Sequence, residues 1–587
     1  MKIVKTLAAS LREFKRNAVL TSVYVAMEVV VDALIPFTMT FLLDCIDESK
    51  DFIDIRGVVT YGVIIIALAG IALLLGALSG IQCATASAGL SRNLRHDMFT
   101  KIQTYSFKNL DKFSNASLIT RLTTDVTFVQ QAFMMIIRMA IRSPLMIAFA
   151  VVMSIVLGGP MAVVYVFVIP IMIGALVLIF LRAHKYFKKV FKKYDKLNSV
   201  VEENIAGMRV VKSNVRESYE TEKFANSADD IYKLFSKAQG TIVFAGPVMQ
   251  LSMYACITLI FYFGARAVLG GGGHVQLKEL SVLVMYATQV LMSLMMLSMI
   301  FVQTVIAKTS AERICEVLTE QPDIVDSPNA ATVVKDGSID FENVSFKYSE
   351  DAELNSLSDI DLHIKSGETI GILGSTGSSK TTLVQLIPRL YDVTEGSLKV
   401  GGVDVKDYKV KSLRDAVAMV LQKNVLFSGT IKENLLWGKE DATDEDIRRA
   451  LEISASDEFV ERLGGVETHV EQAGANLSGG QRQRLCIARA IIGHPKILIL
   501  DDSTSAVDMA TDMHIRKAFK DLMPDTTKII IAQRVASVMT CDRIIIMDGG
   551  RINGIGTHSE LLKINDIYRG IYHSQVNQGG DFDAKND

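Results

Sequence analysis

Six long apolar stretches occupy the first half of the chain, and the second half has none of comparable length. They cover roughly residues 17–43, 58–86, 131–158, 160–182, 241–266 and 281–306. Each is long enough to cross the hydrocarbon core of a bilayer, which takes about 20 residues of helix. The pattern predicts six transmembrane helices followed by a domain outside the membrane.

Polar positions between these stretches predict the orientation in the membrane. The segments 87–130 and 183–240 are long and rich in Lys and Arg. The opposite loops, Asp44–Arg56, Gly158–Pro160 and Gly264–Lys278, are short and less basic. The positive-inside rule therefore predicts that both long segments, both termini and the second half of the chain are cytosolic. Because the long segments contain few helix breakers, we expect the helices to extend beyond the bilayer.

The remaining pattern predicts the domain boundaries. Lys and Arg alternate with apolar residues over 2–16, which is typical of a helix at the membrane interface. We predict a transmembrane domain over 1–320, a linker over 321–336 with two prolines, and a disordered tail over 576–587. Strand and helix patterns alternate over 337–575, which predicts an α/β domain.

A phosphate-binding loop is the first chemical motif of this α/β domain. The apolar strand Thr369–Leu373 leads into Gly374-Ser375-Thr376-Gly377-Ser378-Ser379-Lys380-Thr381-Thr382, and a helix is predicted from Thr381 to Leu390. Such a loop directs backbone N–H groups and a helix N-terminus at phosphates. Lys380 is expected to neutralise the β and γ oxygens of ATP, and Thr381 to bind Mg²⁺. Ser379 replaces the usual Gly, which costs about 1 kcal/mol if the position is left-handed.

Two further motifs follow the loop. The apolar strand Ile497–Leu500 leads into Asp501. We expect the carboxylate of Asp501 to bind the Mg²⁺ of the nucleotide. Between loop and strand lies Leu477-Ser478-Gly479-Gly480-Gln481, with a helix predicted to begin near Arg482. Its serine and glycines can bring N–H groups close to a phosphate.

Together, the three motifs in this order resemble the ATPase cassette of ABC transporters, and the six spans resemble the membrane domain of type I exporters. The resemblance implies a half-transporter: a membrane α-helical domain followed by an α/β P-loop ATPase that uses ATP and Mg²⁺. It also implies that Tyr348 stacks on adenine and that Gln422 senses Mg²⁺ and the γ-phosphate. The LSGGQ run, Leu477 to Gln481, would contact ATP that is held by a partner chain.

Two positions depart from the family pattern. Asp502 stands where the family has the Glu that polarises the attacking water, and Gln533 stands where it has a His. Asp is one methylene shorter, and Gln cannot carry a charge. The resemblance therefore implies a heterodimer. This chain binds ATP but hydrolyses it poorly, and its signature completes the active site of a homologous half-transporter that has the Glu and the His.

Charged and methionine residues inside the spans are candidates for the transport path. Glu28 and Asp32 lie one turn apart on the first span, and Arg138 and Arg142 do so on the third. They form either a salt-bridge clamp between helices or a contact with cargo. Met292, Met295, Met296 and Met299 on the sixth span fit ordinary packing or an adaptable cavity.

Composition narrows the classes of function. The chain is 49% hydrophobic with a net charge of −2, so no overall field attracts nucleic acid. The six Cys have no metal-ligand spacing. We predict an ATP-driven exporter of drugs or lipid-like compounds in the cell membrane, with the lipid bilayer and a small-molecule cargo as further partners. The alternatives are a homodimeric lipid or peptide exporter and a nucleotide-gated regulatory subunit that moves no cargo.

Overall fold

A computed structural model describes residues 2–46, 54–159, 163–269, 277–349, 352–503 and 507–578. The chain divides into two compact units. The first comprises Met1–Gln103 and Asn115–Glu320, and the second comprises Thr104–Ser114 and Gln321–Asp587. A short segment from within the first half of the chain therefore belongs to the second unit.

The described residues of the first unit form helices joined by short turns. Its helices are α1 (Lys2–Ala9), α2 (Lys15–Asp44), α3 (Ile55–Gln103), α5 (Asn115–Thr120), α6 (Val126–Gly158), α7 (Val163–Ala206), α8 (Met208–Ser213), α9 (Glu217–Val243), α10 (Ala245–Leu269) and α11 (Leu277–Thr319), while α4 (Phe107–Lys112) belongs to the second unit.

The predicted six spans are confirmed. Six helical stretches in the described residues are long and apolar enough to cross a membrane: Arg12–Asp44, Ile55–Gln103, Asn115–Leu157, Val163–Phe187, Glu217–Arg266 and Glu279–Thr319. The predicted extension of the helices is also found. With 49 residues, α3 is about 74 Å long, more than twice the thickness of a hydrocarbon core.

The predicted loops are only partly described. The helix α10 continues through Leu269, so the loop predicted from Gly264 begins later than expected. Gly264 does not end the helix, because the apolar run continues beyond it and a single glycine destabilises a packed helix only modestly. Residues 47–53, 160–162 and 270–276, which complete the three loops, lie outside the described residues.

Buried tyrosines join the spans to one another. The Tyr286 hydroxyl on α11 donates to the Ala33 carbonyl on α2 at 2.8 Å, and the Tyr165 hydroxyl on α7 donates to the Leu283 carbonyl at 2.7 Å. Both rings are fully or nearly fully buried. A buried phenol needs an acceptor, and in each case a backbone carbonyl of another span provides it.

A polar cluster joins α11 to the beginning of α6. Residues Arg121–Asp125 form a π-helical turn between α5 and α6. The carboxylate of Asp125 is fully buried and accepts from the Ser310 hydroxyl at 2.7 Å and from Arg313 at 2.5 Å. Arg121 donates to the Arg313 carbonyl at 2.7 Å. These charged contacts hold the polar ends of two long helices together.

The second unit is the predicted α/β domain. Its strands are β1 (Ile339–Phe346), β2 (Leu357–Ile364), β3 (Thr369–Gly374), β4 (Glu395–Val400), β5 (Val403–Asp404), β6 (Val417–Val420), β7 (Gly429–Thr430), β8 (His469–Val470), β9 (Ile497–Asp501), β10 (Thr527–Ile531), β11 (Arg543–Asp548) and β12 (Arg551–Gly556). After α4, its helices are α12 (Lys380–Leu386), α13 (Val410–Ala416), α14 (Ile431–Leu436), α15 (Asp444–Ile453), α16 (Asp457–Arg462), α17 (Gly479–Ile491), α18 (Met509–Leu522), α19 (His558–Ile564) and α20 (Asp566–Gln578).

A central sheet of six strands, in the order β12-β11-β3-β10-β9-β6, organises this unit. All neighbouring pairs from β11 to β6 are parallel. The strands β9 and β10 are buried along their whole length, as expected for the middle of a parallel sheet. A second sheet, β2-β1-β4-β5, is antiparallel.

Parallel pairing brings the carboxyl ends of the strands to one edge. The register pairs Asp501 at the end of β9 with Ile531 at the end of β10, and Leu500 with Val420 at the end of β6. Ligands of open parallel sheets bind at this edge. The loops that follow β3, β6, β9 and β10 carry the candidate residues of the phosphate site.

Two helices of the candidate site also have boundaries that differ from the prediction. The helix after the phosphate loop ends at Leu386 rather than Leu390, because Pro388 lacks an N–H donor and Arg389 is left-handed with φ +51°. The signature helix begins at Gly479 rather than near Arg482, because Ser478 and Gln481 cap it reciprocally.

At the C-terminus, α20 continues to Gln578, three residues into the predicted tail. Residues 579–587, the rest of that tail, lie outside the described residues. The predicted linker over 321–336 has no helix or regular strand.

The segment Thr104–Ser114 packs on the α/β domain. The Tyr391 hydroxyl donates to Asp111 on α4 at 2.6 Å, and the rings of Phe107 and Tyr391 meet edge to face at 5.9 Å. Asn109 donates to the Gln321 carbonyl at 3.1 Å, and the Ser106 hydroxyl donates to Asp323. A polar and aromatic contact surface therefore anchors this segment within the second unit.

Candidate functional site

The phosphate loop between β3 and α12 is shaped by two glycines. A Cβ on Gly374 would lie 2.2 Å from the Met547 carbonyl oxygen, so a side chain has no room there. Gly377 has φ +84°, in the left-handed region that favours glycine. The Ser378 hydroxyl and N–H both donate to the Ser375 carbonyl, at 2.8 and 3.2 Å, and close a tight turn around Thr376.

Ser379 is the strained position of this loop. Its backbone is left-handed, with φ +68° and ψ 27°, and its side chain makes no capping hydrogen bond to α12. A left-handed conformation crowds Cβ against the backbone and costs about 1 kcal/mol in a residue other than glycine. The cost expected for a left-handed serine therefore applies to Ser379.

Lys380 lies folded onto the loop. Its Nζ donates to the carbonyls of Gly374 and Ser375 at 2.8 and 2.7 Å, and to the Ser378 hydroxyl at 3.2 Å. Burial lowers the pKa of the ammonium, while Asp501 and Asp502 act in the opposite direction. The loop thus holds a cation among oxygens at the place where phosphates are expected.

Asp501 has the chemistry of a Mg²⁺ ligand. It is 2% exposed, and its Oδ1 accepts from the Thr381 hydroxyl at 3.2 Å. Its Oδ2 is buried without a hydrogen-bond partner. Burial raises the pKa of this carboxyl, and the charge of Asp502 adds to the shift. A buried carboxylate oxygen with an open coordination position beside a hydroxyl fits Mg²⁺, which prefers oxygen ligands.

The two unusual residues of the site contact each other directly. Gln533 follows β10, and its Nε2 donates to Asp502 Oδ2 at 2.7 Å. Asp502 has φ +49°, and its backbone N–H donates to the Ile531 carbonyl at 3.0 Å. Burial raises the pKa of the Asp502 carboxyl, and the hydrogen bond from Gln533 opposes that shift. An uncharged amide therefore occupies one oxygen of the carboxylate at the position where the general base is expected.

Tyr348 lies two residues beyond β1 and beside the phosphate-loop helix. Its hydroxyl is 2.9 Å from the Thr382 hydroxyl, and its ring is 42% exposed. The ring meets Phe346 and Tyr391 edge to face, at 4.9 and 5.2 Å. These contacts fix the ring and leave part of it accessible, as a base-stacking role requires.

The second aromatic residue, Tyr391, was not found from the sequence. It supports Tyr348 and also bonds to Asp111, which is 280 residues away along the chain. No periodicity or motif connects positions so far apart, so the sequence carried no signal for this pairing.

Gln422 lies in an exposed bend directly after β6, at the same sheet edge as Asp501. Its backbone carbonyl accepts from Asn424 at 3.4 Å. The position of Gln422 at the sheet edge that carries Asp501 agrees with the expected role, which stays a prediction.

The signature segment is built as a helix N-terminus. The Ser478 hydroxyl accepts from the Gln481 N–H at 3.3 Å, and the Gln481 side chain accepts from the Ser478 N–H at 2.9 Å. Leu477 is buried in the domain core, whereas Ser478 and Gly479 are exposed. The segment therefore presents a capped helix N-terminus at the surface.

Of the four charges predicted for the transport path, three meet. Arg142 on α6 donates to Glu28 and, at 2.7 Å, to Asp32 on α2. Gly76 on α3 lets Glu28 approach, since a Cβ there would lie 3.1 Å from the carboxylate. Arg138 is separate, and its Nε is buried without a hydrogen-bond partner. The salt-bridge interpretation therefore fits Arg142 better than Arg138.

The methionines of the sixth span share one accessible face of α11. Met292, Met295, Met296 and Met299 are between 41% and 63% exposed. The opposite face carries Val290, Leu291 and Leu294, which are buried against other spans. The methionine face thus lies outside the packed interior of this chain.

Comparison with known proteins places the chain in a family. Residues 20–294 match the ABC transporter transmembrane region, and residues 357–505 match the ABC transporter family. The uncharacterized ABC transporter ATP-binding protein YfiB of Bacillus subtilis (strain 168) is 35% identical over 528 residues, 90% of this chain and 91% of that protein.

Two other relatives have more specific names. An ATP-dependent lipid A-core flippase of Desulfotalea psychrophila (strain LSv54 / DSM 12343) is 31% identical over 486 residues, 82% of both chains. The putative multidrug export ATP-binding/permease protein YgaD of Bacillus subtilis (strain 168) is 42% identical over 269 residues, 45% of this chain and 46% of that protein.

Among solved structures, a bacterial Atm1-family ABC exporter with ATP bound has the same fold. Its TM-score is 0.81 at 22% identity, and the match covers 97% of this chain and 99% of that chain. The fold and the motifs define an ATP-driven, multi-pass membrane exporter that joins a permease unit to an ATPase unit. The chain belongs to the ABC transporter family, as a half-transporter.

We predict that Ser379→Gly stabilises the ATPase unit by up to about 1 kcal/mol, because glycine removes the left-handed strain. Ser379→Ala is the matched control, since it keeps Cβ and loses only a hydroxyl that makes no capping bond. The measurement is thermal unfolding with and without ATP. Equal unfolding temperatures for the Gly and Ala variants would mean that the loop does not store this strain.

We predict that Arg142→Met lowers the unfolding temperature of the purified protein by about 5 °C or more, because two acids then lose their shared cation. Arg138→Met, one turn away on the same helix, is the control and should have a smaller effect. Thermal unfolding in detergent or nanodiscs measures both. If Arg138→Met lowered the unfolding temperature as much as Arg142→Met, the assignment of the salt bridges to Arg142 would be contradicted.

Proposed function

We propose that this chain is one half of a heterodimeric ABC exporter whose own phosphate-loop site holds ATP and hydrolyses it slowly. The observation that carries the proposal is the hydrogen bond between Gln533 and Asp502. It joins the two positions at which family members otherwise have a charged base and a histidine. In this chain the short carboxylate is bonded to a neutral amide.

Binding of the nucleotide is expected to remain intact. Tyr348 would stack on adenine, the loop from Gly374 to Thr382 would surround the phosphates, and Lys380 would turn from the loop carbonyls to the phosphate oxygens. Thr381, Asp501 and Gln422 would hold Mg²⁺, which when bound neutralises phosphate charge. The open Oδ2 of Asp501 and the adjacent Thr381 hydroxyl support this arrangement.

Hydrolysis is the step that the substitutions weaken. A general base must lie within hydrogen-bond reach of the attacking water, and an error of about 1 Å can cost about 100-fold in rate. Asp502 is one methylene shorter than Glu, and one of its oxygens is engaged by Gln533. Because Gln533 is neutral, it cannot add the positive charge that a protonated histidine would bring to the γ-phosphate.

The second active site of the dimer would be completed by this chain's signature. Ser478 and Gly479 are exposed at the capped start of α17, so the Ser478 hydroxyl and the Gly479 N–H can face a phosphate bound by another chain. The proposed partner is a homologous half-transporter with the Glu and the His. The ATPase unit and both termini would be cytosolic, and the protein would lie in the cell membrane.

The proposed cargo is a hydrophobic or amphipathic compound. The exposed methionine face of α11 supports this choice, because flexible thioethers adapt to varied apolar shapes. One relative, YgaD, is named a putative multidrug export protein, which supports drugs as the cargo. A second candidate, a homodimeric lipid exporter, is favoured by the likeness to the lipid A-core flippase over 82% of the chain.

We predict little ATPase activity for this chain purified without a partner. We also predict that the double variant Asp502→Glu with Gln533→His hydrolyses ATP faster in this chain's own site. The longer acid reaches the water, and histidine restores the γ-phosphate contact. The gain is measured in the complex recovered from the native membrane, with the partner's catalytic Glu changed to Gln. A rate of several per second from the unsubstituted chain alone, ordinary for an enzyme, would rule out the slow-site proposal.

We predict that Gly480→Asp nearly abolishes ATPase activity of the same complex, although it lies outside this chain's own phosphate loop. A carboxylate there crowds and repels the phosphate of ATP on the partner. Lys380→Ala is the comparison, because it should reduce ATP retention on this chain more than it reduces total turnover. Full activity of the Gly480→Asp complex would show that this signature does not serve the hydrolysing site.

A further inference from the structure

We propose that Gln575, on the C-terminal helix α20, is a positioning residue for the loop that carries Gln533. Its Nε2 donates to the Gln533 carbonyl at 2.7 Å, and its Oε1 accepts from the Val535 N–H at 2.8 Å. One side-chain amide thus uses its donor and its acceptor on two backbone groups of one loop. This double contact fixes the loop's direction as well as its distance from the helix.

The contact leads directly to the hydrolytic end of the site. The residue whose carbonyl Gln575 holds is the residue whose side chain donates to Asp502 at 2.7 Å. Gln575 would act through Gln533, because its two described hydrogen bonds go to the loop and not to Asp502. This inference rests on the proposed function, since it assigns a supporting residue to the slow ATP site.

The helix that carries Gln575 is itself firmly held. Asn565, just before α20, accepts from the Tyr568 N–H at 2.9 Å and donates to Asn553 at 2.8 Å. Tyr568 is fully buried in the same hydrophobic cluster as Val535. The helix and the loop therefore share one core, so the position of the Gln575 amide is set by packing.

A second side chain holds the far end of the same loop. Arg516 on α18 donates to the Ala536 carbonyl at 2.9 Å. The stretch from residue 533 to residue 536 is thus fixed by Gln575 at one end and by Arg516 at the other. Removing the Gln575 amide should release only the end that carries Gln533.

Three variants of the full chain, in the complex from the native membrane, separate positioning from folding. Gln575→Ala removes both hydrogen bonds. Gln575→Glu keeps an acceptor for the Val535 N–H and loses the donor to the Gln533 carbonyl. Ser574→Ala, at the exposed neighbouring position, is the control.

Two readouts are needed: hydrogen exchange of the Val535 amide, and the lifetime of labelled ATP on this chain when the partner's catalytic Glu is changed to Gln. In Gln575→Ala we expect about 3- to 10-fold faster exchange, the effect of one hydrogen bond, and an ATP lifetime changed at least about 3-fold. In Gln575→Glu the Val535 amide should stay protected while the ATP lifetime still changes. Ser574→Ala should match the unsubstituted chain.

The proposal is overturned if Gln575→Ala leaves the ATP lifetime unchanged, or if its unfolding temperature falls enough to account for the whole change in lifetime. It is also overturned if Gln575→Glu retains both Val535 protection and the normal lifetime. Fast ATPase of the chain alone would instead overturn the slow-site proposal, and the Val535 exchange measurement would still test whether Gln575 holds the loop.

Discussion

Parallel pairing of β3, β10, β9 and β6 is the constraint on which the ATPase unit depends. It places the ends of four strands at one edge, so that residues far apart along the chain become neighbours. Asp501 and Thr381 meet in this way, as do Asp502 and Gln533. The buried, mainly aliphatic strands β9 and β10 hold the register, because a slip of one residue would send every side chain to the opposite packed face.

Strain and charge are concentrated at this same edge. Ser379 and Asp502 are both left-handed, and both flank the place where phosphates are expected. Burial raises the pKa of both acids and lowers that of Lys380, so each of these groups is less stably charged there than in water. Attraction between Lys380 and each acid offsets part of this cost, whereas the two acids repel each other. Perturbed groups of this kind gather at functional sites more often than elsewhere.

Much of the architecture could be predicted from the sequence, for reasons that are visible in particular elements. Apolar runs of bilayer length gave six spans, and the phosphate loop and the acid after an aliphatic strand marked the sheet edge. The spacing of Glu28 and Asp32, and of Arg138 and Arg142, placed each pair on one helical face. It could not show that Arg142 rather than Arg138 holds both acids, because that depends on how α2, α3 and α6 pack.

Other features depend on contacts that leave no local pattern. The start of α17 was misplaced by three residues because a reciprocal cap, and not glycine content, decides where that helix begins. The bonds of Gln575 to Gln533 and Val535 join the last helix to a loop some forty residues earlier. No periodicity in the sequence predicts these contacts, since the residues that make them share neither a helix nor a strand.

Because Thr104–Ser114 belongs to the second unit, an ATPase domain expressed on its own would lack part of its structure. A cassette expressed from Gln321 onward would lack α4, and Tyr391 would lose both its acceptor Asp111 and the ring of Phe107. Tyr391 is 8% exposed in the full chain and lies against Tyr348. A truncated cassette would thus expose an aromatic, apolar surface to solvent beside Tyr348, the residue that is expected to stack on adenine. Its solubility and its affinity for nucleotides would be properties of the fragment and not of the exporter.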